Sequence, residues 1–386
     1  SEPPFLVEIT PAPTATATPT AVLTPTVVPT PTPAPEPAPS RVFFKRENEL
    51  WSINRDGSGP LLLSAEVLAL SYSYLGLGDS SPLPSPQRDK VAFIGTGGNL
   101  WVIDSNGNNL KRLSEEAFPG DETYAPTYVF ISGWSPDATK IIYAVDSPGV
   151  LAGAGRGEEV RSEVGFYSVD LHTGEKTKLD FANFLVYVEK KTQLQGLLSF
   201  VAWSPDSETI IFQPASPNEC DWYSFDPGTG ATSKFTAVPF ECSCGGPSLS
   251  SDGNRLLYIC GNIGDRTSSI VIANIDNTNQ RVLLAGQLGE LQSPVFSPSA
   301  EGFIYEHQFQ QPGAYAIIDL QFFDLETGEQ TLLASGSVKL KGWVDDRSAL
   351  ILEAKDKERP SGPSTLYLVD VATGARTKLA DDVAFR

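Results

Sequence analysis

Hydrophobic and polar positions recur along this chain in one phrase: a short apolar run, an acidic or polar residue, a Gly turn, then a second run ending in Leu. It reads Leu50-Trp-Ser-Ile-Asn-Arg-Asp-Gly57 on to Leu63, Leu100-Trp-Val-Ile-Asp104 with Gly107 on to Leu113, and Phe166-Tyr-Ser-Val-Asp170 with Gly174 on to Leu179. It returns at Trp222-Tyr-Ser-Phe-Asp226 with Gly230, at Val271-Ile-Ala-Asn-Ile-Asp276, at Gln321-Phe-Phe-Asp324 with Gly328, and at Leu366-Tyr-Leu-Val-Asp370 with Gly374. Short runs rich in β-branched and aromatic residues predict strands. A unit this small cannot bury its own apolar face, so neighbouring copies must stack.

A second phrase precedes each copy, clearest at Gly133-Trp-Ser-Pro-Asp137-Ala-Thr-Lys-Ile-Ile-Tyr143 and Ala202-Trp-Ser-Pro-Asp206-Ser-Glu-Thr-Ile-Ile-Phe212. Looser versions are Ser248-Leu-Ser-Ser-Asp252-Gly253, Val295-Phe-Ser-Pro298 and Gly342-Trp-Val-Asp-Asp346. In Ser-Pro-Asp, Pro presets φ and Asp or Ser caps the turn; in Ser-Asp-Gly, the Gly takes positive φ. Each unit therefore predicts four strands, a to d, and four-stranded antiparallel units repeating every 40–50 residues or so are blades of a β-propeller. The expected fold is all-β: a seven-bladed propeller. Blade 1 begins at Arg41-Val-Phe-Phe44 with strand b and has no strand a before it. Residues 383–385, Val-Ala-Phe, resemble Val201-Ala-Trp203, so the C-terminal strand is expected to pair beside residues 42–44 and close the ring. Trp134, Trp203, Phe296 and Trp343 share one repeat position, as blade-to-blade packing requires.

The Ser-Pro-Asp-x-x-x-Ile-x-Tyr and Leu-Trp-Val-Ile-Asp phrasing resembles the WD40-like propeller repeats of TolB-type proteins over residues 41–386. The resemblance implies the fold and, for function, a periplasmic scaffold or the substrate-gating propeller of a peptidase. The repeats here number seven where TolB has six, and neither a small α/β domain nor a hydrolase domain accompanies them.

Two domains are expected: a Pro/Thr-rich arm, 1–40, and the propeller, 41–386. The net charge is −19, and the arm holds three Glu and no Lys or Arg, so nearly all of that charge belongs to the propeller. Such a body, without a basic stripe, predicts neither a nucleic-acid partner nor an anionic membrane. No apolar stretch reaches the roughly 18–20 residues that cross a bilayer, so no membrane insertion is expected. The first residue is Ser1, Met is absent and no acylatable Cys leads the chain. Those features are expected of a protein whose leader has been removed, extracellular or at the cell surface, with the periplasm as alternative.

Cys220, Cys242, Cys244 and Cys260 fall in blades 4 and 5, an even number that predicts disulfides in an exported protein. A turn centred on Asp252-Gly253 sets Cys244 opposite Cys260 and leaves Cys220 with Cys242. The rival four-Cys zinc site lacks paired Cys-x-x-Cys knuckles.

Residues 11–39 alternate Pro with Thr, Ala and Val, which predicts an extended spacer reaching roughly 90 Å at about 3.1 Å per residue. At its far end lies an apolar, strand-like tip, residues 5–9, with Phe5, Leu6, Val7 and Ile9 around Glu8. The tip is expected to add to a sheet edge of another copy, giving a homo-oligomer built head-to-tail, a filament or surface assembly.

The b–c and d–a connections are long and emerge on one face, the expected place for a protein or glycan partner. Two are apolar, one with Tyr72 and Tyr74, the other with Phe184 and Tyr187. Glu115, Glu116, Asp121, Glu122, Glu158, Glu159 and Glu163 lack regular calcium-ligand spacing, and neither metal nor cofactor is expected. His172 falls in a turn, and His307 is expected to follow strand b of blade 6 at the start of a loop on the variable face, with no Gly-x-Ser-x-Gly elbow near it. The expected function is a non-enzymatic extracellular structural or interaction protein assembling through its arm; the alternative is a tethered or periplasmic TolB-like scaffold binding on its long-loop face.

Overall fold

The computed structural model describes residues 41–65, 67, 82–120, 126–146, 162–179, 198–214, 221–237, 248–262, 267–288, 290–309, 317–356 and 362–384. Among them every regular element is a strand. Blade 1 is β1 (Val42–Arg46), β2 (Glu49–Ile53) and β3 (Leu61–Ser64); blade 2 is β4 (Leu83–Pro84), β5 (Lys90–Ile94), β6 (Leu100–Asp104) and β7 (Lys111–Arg112). Blade 3 comprises β8 (Tyr128–Trp134), β9 (Lys140–Asp146), β10 (Gly165–Asp170) and β11 (Lys176–Leu179); blade 4, β12 (Leu198–Trp203), β13 (Ile210–Pro214), β14 (Asp221–Phe225) and β15 (Thr232–Ala237). Blade 5 has β16 (Ser248–Leu249), β17 (Arg255–Asn262), β18 (Thr267–Asn274) and β19 (Arg281–Leu288), and blade 6 has β20 (Glu290–Phe296), β21 (Gly302–Phe309), β22 (Ile317–Asp324) and β23 (Gln330–Gly336). Blade 7 is β24 (Val338–Asp345), β25 (Ser348–Ala354), β26 (Pro363–Asp370) and β27 (Arg376–Ala384). Six sheets have four strands in sequence order and the first has three, all antiparallel. The seven-bladed propeller expected from the repeat is the fold.

The a–b turns are built alike. Ser135 and Ser204 each receive the N–H of the residue five positions on, Lys140 and Thr209, at 2.9 Å on Oγ, and each donates its hydroxyl to an Asp two positions on. Ser250 does the same with Arg255 and Asp252. The residue three positions after the Ser sits at positive φ: 56° at Arg88 and Ala138, 61° at Ser207, 71° at Gly253 and 58° at Ala300. The c–d turns follow a second rule, Asp-x-x-Thr-Gly. Asp170, Asp226, Asp324 and Asp370 accept the N–H of the Thr three residues on, and Gly174, Gly230, Gly328 and Gly374 close the turn with their N–H on the Asp carbonyl.

Seven apolar clusters fill the seven interfaces between blades. Every blade is covered on both faces, which is why its b and c strands are apolar on consecutive positions instead of alternating. Ile141, Ile142, Tyr143, Ala144 and Val145 of β9 are all fully buried, shared between the interfaces to blades 2 and 4. The inner aromatics pack as expected: Trp134, Trp203 and Phe296 are in these clusters, and Trp343 lies against one.

The ring is closed by the C-terminal strand, with one departure from the expected detail. Val383, Leu379 and Ala380 of β27 share a cluster with Val42 and Phe44 of β1, and the Arg46 guanidinium donates to the Asp381 carbonyl at 3.0 and 3.2 Å. Residues 383 and 384 nevertheless stay in register with Ser364 and Pro363 of β26 instead of pairing with β1. The strand steps sideways at Asp381 and Asp382, the latter at φ 57°, and then resumes its old partner because β26 is long enough to offer one. Phe385 lies outside the described residues. Closure therefore rests on side-chain packing and on Arg46, and among the described residues no strand pairs with the inner edge of β1.

Two outcomes are expected. Ser135→Ala, which leaves the Lys140 N–H and the Asp137 carboxylate without their shared partner, should cost about 1–3 kcal/mol in a denaturation experiment. The hydrogen bonds from Thr173, Thr229, Thr327 and Thr373 hold the carboxyls of Asp170, Asp226, Asp324 and Asp370 below their usual range. A depressed carboxyl stabilises the fold above its unfolded pKa and loses that contribution as pH falls through the folded value. Thermal melts should thus be insensitive to these groups above about pH 5 and show a falling Tm below about pH 4.

Candidate functional site

The inner edge of β1 opens onto a cavity of about 550 Å3. It lies beside β1 and reaches Ile131 and Ser132 of blade 3, Pro298 of blade 6 and the inner strand of blade 7. One wall comes from blade 7, where Leu350, Leu352, Leu366 and Val383 present apolar side chains. The facing wall is the start of blade 2, Pro82-Leu-Pro-Ser-Pro86. Three prolines there remove three backbone donors, and Leu83 and Pro84 pair with Ala92 and Val91 of β5 on their other side. The floor is β1 itself. Its side chains alternate, with Val42 and Phe44 in the cluster shared with blade 7 and Phe43 in the cluster shared with blade 2.

The lining carries Lys45, Arg88, Lys339 and Lys341, and among the described lining residues no carboxylate. Four cations around one cavity are unexpected in a chain of net charge −19. Some of this charge is answered nearby. Arg55 is ion-paired to Asp345 and donates to Ser348 Oγ at 2.7 Å, and Glu306, whose carboxyl burial pushes up, lies within the field of Lys339. Arg88 is different. Its Nη2 donates to the Trp343 carbonyl, while its Nη1 is buried without a hydrogen-bond partner. Burial, reinforced by Arg55 and opposed by Asp345, lowers its pKa to about 10, so the guanidinium stays charged at neutral pH.

Arg88 also sits in the positive-φ position of its a–b turn, where the corresponding residues of other blades are Ala138, Ser207, Gly253 and Ala300. A left-handed backbone costs an L-residue about 1–2 kcal/mol. Small residues fill the place in the other turns, and here a long cationic side chain is turned into the cavity instead. Aligning the repeats would have found it, because one turn in five carries Arg where the rest carry Ala, Ser or Gly.

The residues singled out from the sequence are mostly not in this site. Phe5, Leu6, Val7, Ile9, Tyr72, Tyr74, Phe184 and Tyr187 lie outside the described residues. So do Cys220, Cys242 and Cys244; Cys260, on β17 opposite Ser269, is disulfide-bonded. His172 is a turn residue, its N–H on Asp170 Oδ1 at 2.9 Å. His307 does not begin a loop: it is buried within β21, registered with Asp319, its ring 4.0 Å from that of Phe309. Glu116 accepts from Lys176 at 2.9 Å and from the Tyr143 hydroxyl at 3.3 Å.

No family model matches the chain, and no curated protein matches it. Solved structures do. TolB from Acinetobacter baumannii is 17% identical over 75% of this chain and 62% of its own, with a TM-score of 0.43, so the chain spans under two thirds of that protein. The acylaminoacyl peptidase of Pyrococcus horikoshii is 15% identical over 86% of this chain and 48% of its own, with a TM-score of 0.54. The tricorn protease is 12% identical over 89% of this chain and 34% of its own, with a TM-score of 0.51. The likeness is one of fold. It corrects one expectation: a non-enzymatic protein does not follow from this architecture, since a similar fold occurs in proteins named as a protease and a peptidase. Among the described residues no helix is long and apolar enough to cross a membrane.

The bonded state of Cys260 is directly testable. Alkylation of the native, unreduced protein followed by peptide mass analysis should leave Cys260 unlabelled, and reduction before alkylation should label it.

Proposed function

We propose that the chain is an extracellular structural protein that assembles head-to-tail, the N-terminal arm of one copy entering the cavity of the next as the fourth strand of blade 1. The observation that carries this is the inner edge of β1, a row of backbone donors and acceptors beside a cavity with an apolar wall, without a strand partner among the described residues. Unpaired edges invite an added strand, and β-augmentation satisfies them with main-chain hydrogen bonds.

The arm has the matching features. Its tip is five residues long, as is β1, so each would span roughly 17 Å at about 3.3 Å per residue. The Pro-alternating spacer behind it reaches roughly 90 Å, enough to leave its own propeller and meet another. A contact between unlike surfaces of identical copies propagates unless it closes into a ring. The disulfide at Cys260 agrees with an oxidising, extracellular setting.

The test is the assembly state of the full chain against a chain lacking residues 1–10. Electron micrographs and light scattering should show filaments or higher oligomers for the first and single propellers of unchanged circular dichroism for the second. Monodisperse monomers of the full chain at high concentration would overturn the proposal.

A further inference from the structure

The two sides of the cavity are chemically unlike. On the blade 7 side, β24 contributes Lys339 and Lys341, both half-buried. Lys339 is registered with Leu352, whereas Lys341 sits in a bulge, with no residue of its own opposite it in β25. Bulges re-aim a side chain. The inner strand of blade 3 bulges at the same place, at Ser132, and Ser132 also lines the cavity, so this repeat position faces the cavity in both blades. Blade 7 alone of the two carries a cation there. Next to Lys341 the space is open: a side chain added at Gly342 would meet nothing within 4 Å. Lys45 of β1 adds a third ammonium.

Across from the lysines stands Pro82-Leu-Pro84 of blade 2, half-buried and apolar. The volume between, about 550 Å3, lies in the range of small-molecule pockets, about 300–1,000 Å3. Arg88 contributes only its field, because its guanidinium is enclosed and bound to the Trp343 carbonyl. Glu306 lies in the field of Lys339, and burial, which pushes its carboxyl up, weakens it as a counter-ion. Lys45 and Lys341 also have contacts of their own. An ammonium has three N–H donors, so one partner leaves others able to turn to a ligand.

We infer that this cavity binds a small organic anion, its carboxylate held by Lys339 and Lys341 with Lys45 beside them, and its apolar body laid against the Pro82-Leu-Pro84 wall. An inorganic anion has no body for that wall to cover, and a neutral apolar molecule leaves the ammonium groups unanswered. The site goes beyond the proposed strand insertion and does not require it. The two share one space, so a bound anion and an inserted arm exclude each other.

Calorimetric titrations use the full chain and the chain lacking residues 1–10, each with butanoate, hexanoate, octanoate, octanol and inorganic phosphate. Octanoate should bind tightest. Affinity should rise about two- to fourfold per methylene along the carboxylates, and octanol and phosphate should bind at least about 10-fold more weakly than octanoate. The double substitution K339Q/K341Q should weaken octanoate about 10- to 100-fold and leave octanol unchanged, which a general loss of structure would not do. Octanoate that binds the deletion more tightly than the full chain supports the same site, with the arm as its competitor. Octanoate that binds neither chain, binds no more tightly than butanoate or phosphate, or is indifferent to the double substitution would overturn the inference. Should the double variant fail to fold, the ligand series on the two unsubstituted chains still decides. A full chain that never assembles would remove strand insertion and leave this site standing, because the titrations read binding alone.

Discussion

Every blade of this protein is apolar on both faces, and a sheet of that kind has no stable existence except between two others. Seven such sheets satisfy one another only by closing, so the contact between the last blade and the first is the constraint on which the rest depends. At that closure Val42 and Phe44 meet Val383, Leu379 and Ala380, and the four larger side chains contribute about 1.5–3 kcal/mol each by burial. The Arg46 guanidinium supplies the directional part by binding the carbonyl of Asp381. The same closure leaves β1 with an open edge, because β27 holds to β26 through Ala384. Closing the disc and exposing a strand position are thus two results of one arrangement.

The site grows out of that edge and inherits its chemistry from three neighbours. Blade 7 gives apolar side chains together with Lys339 and Lys341, blade 2 gives a proline-rich wall, and β1 gives backbone donors and acceptors. Arg88 supplies the charge. In four other a–b turns the left-handed position is filled by a small residue; here it holds an arginine with one nitrogen on Trp343 and another unpaired.

Much of the fold was legible in the chain because the repeat is written in turn chemistry. Asp-x-x-Thr-Gly and Ser-Pro-Asp place capping oxygens and positive-φ residues at fixed offsets, and those offsets decide where each hairpin ends. The inner aromatics were readable for the same reason. What was not legible depends on distance. Whether residues 383–385 would pair with β1 or remain with β26 turned on a sidestep at Asp382 that no local pattern announces. The cavity was invisible because its walls come from blades far apart in sequence, and His307 was misplaced because β21 runs further than its apolar phrase. The inference against catalysis failed for a different reason: one fold can host many chemistries, so a propeller without a recognisable motif does not argue against an enzyme.

What lies beside β1 in the assembled protein decides between an inserted arm and an open edge. A reconstruction from electron micrographs of the native assemblies should show a fourth strand along residues 42–46, antiparallel to them and continuous with the arm of the neighbouring subunit. A strand position left open, or filled by the subunit's own chain, would contradict it.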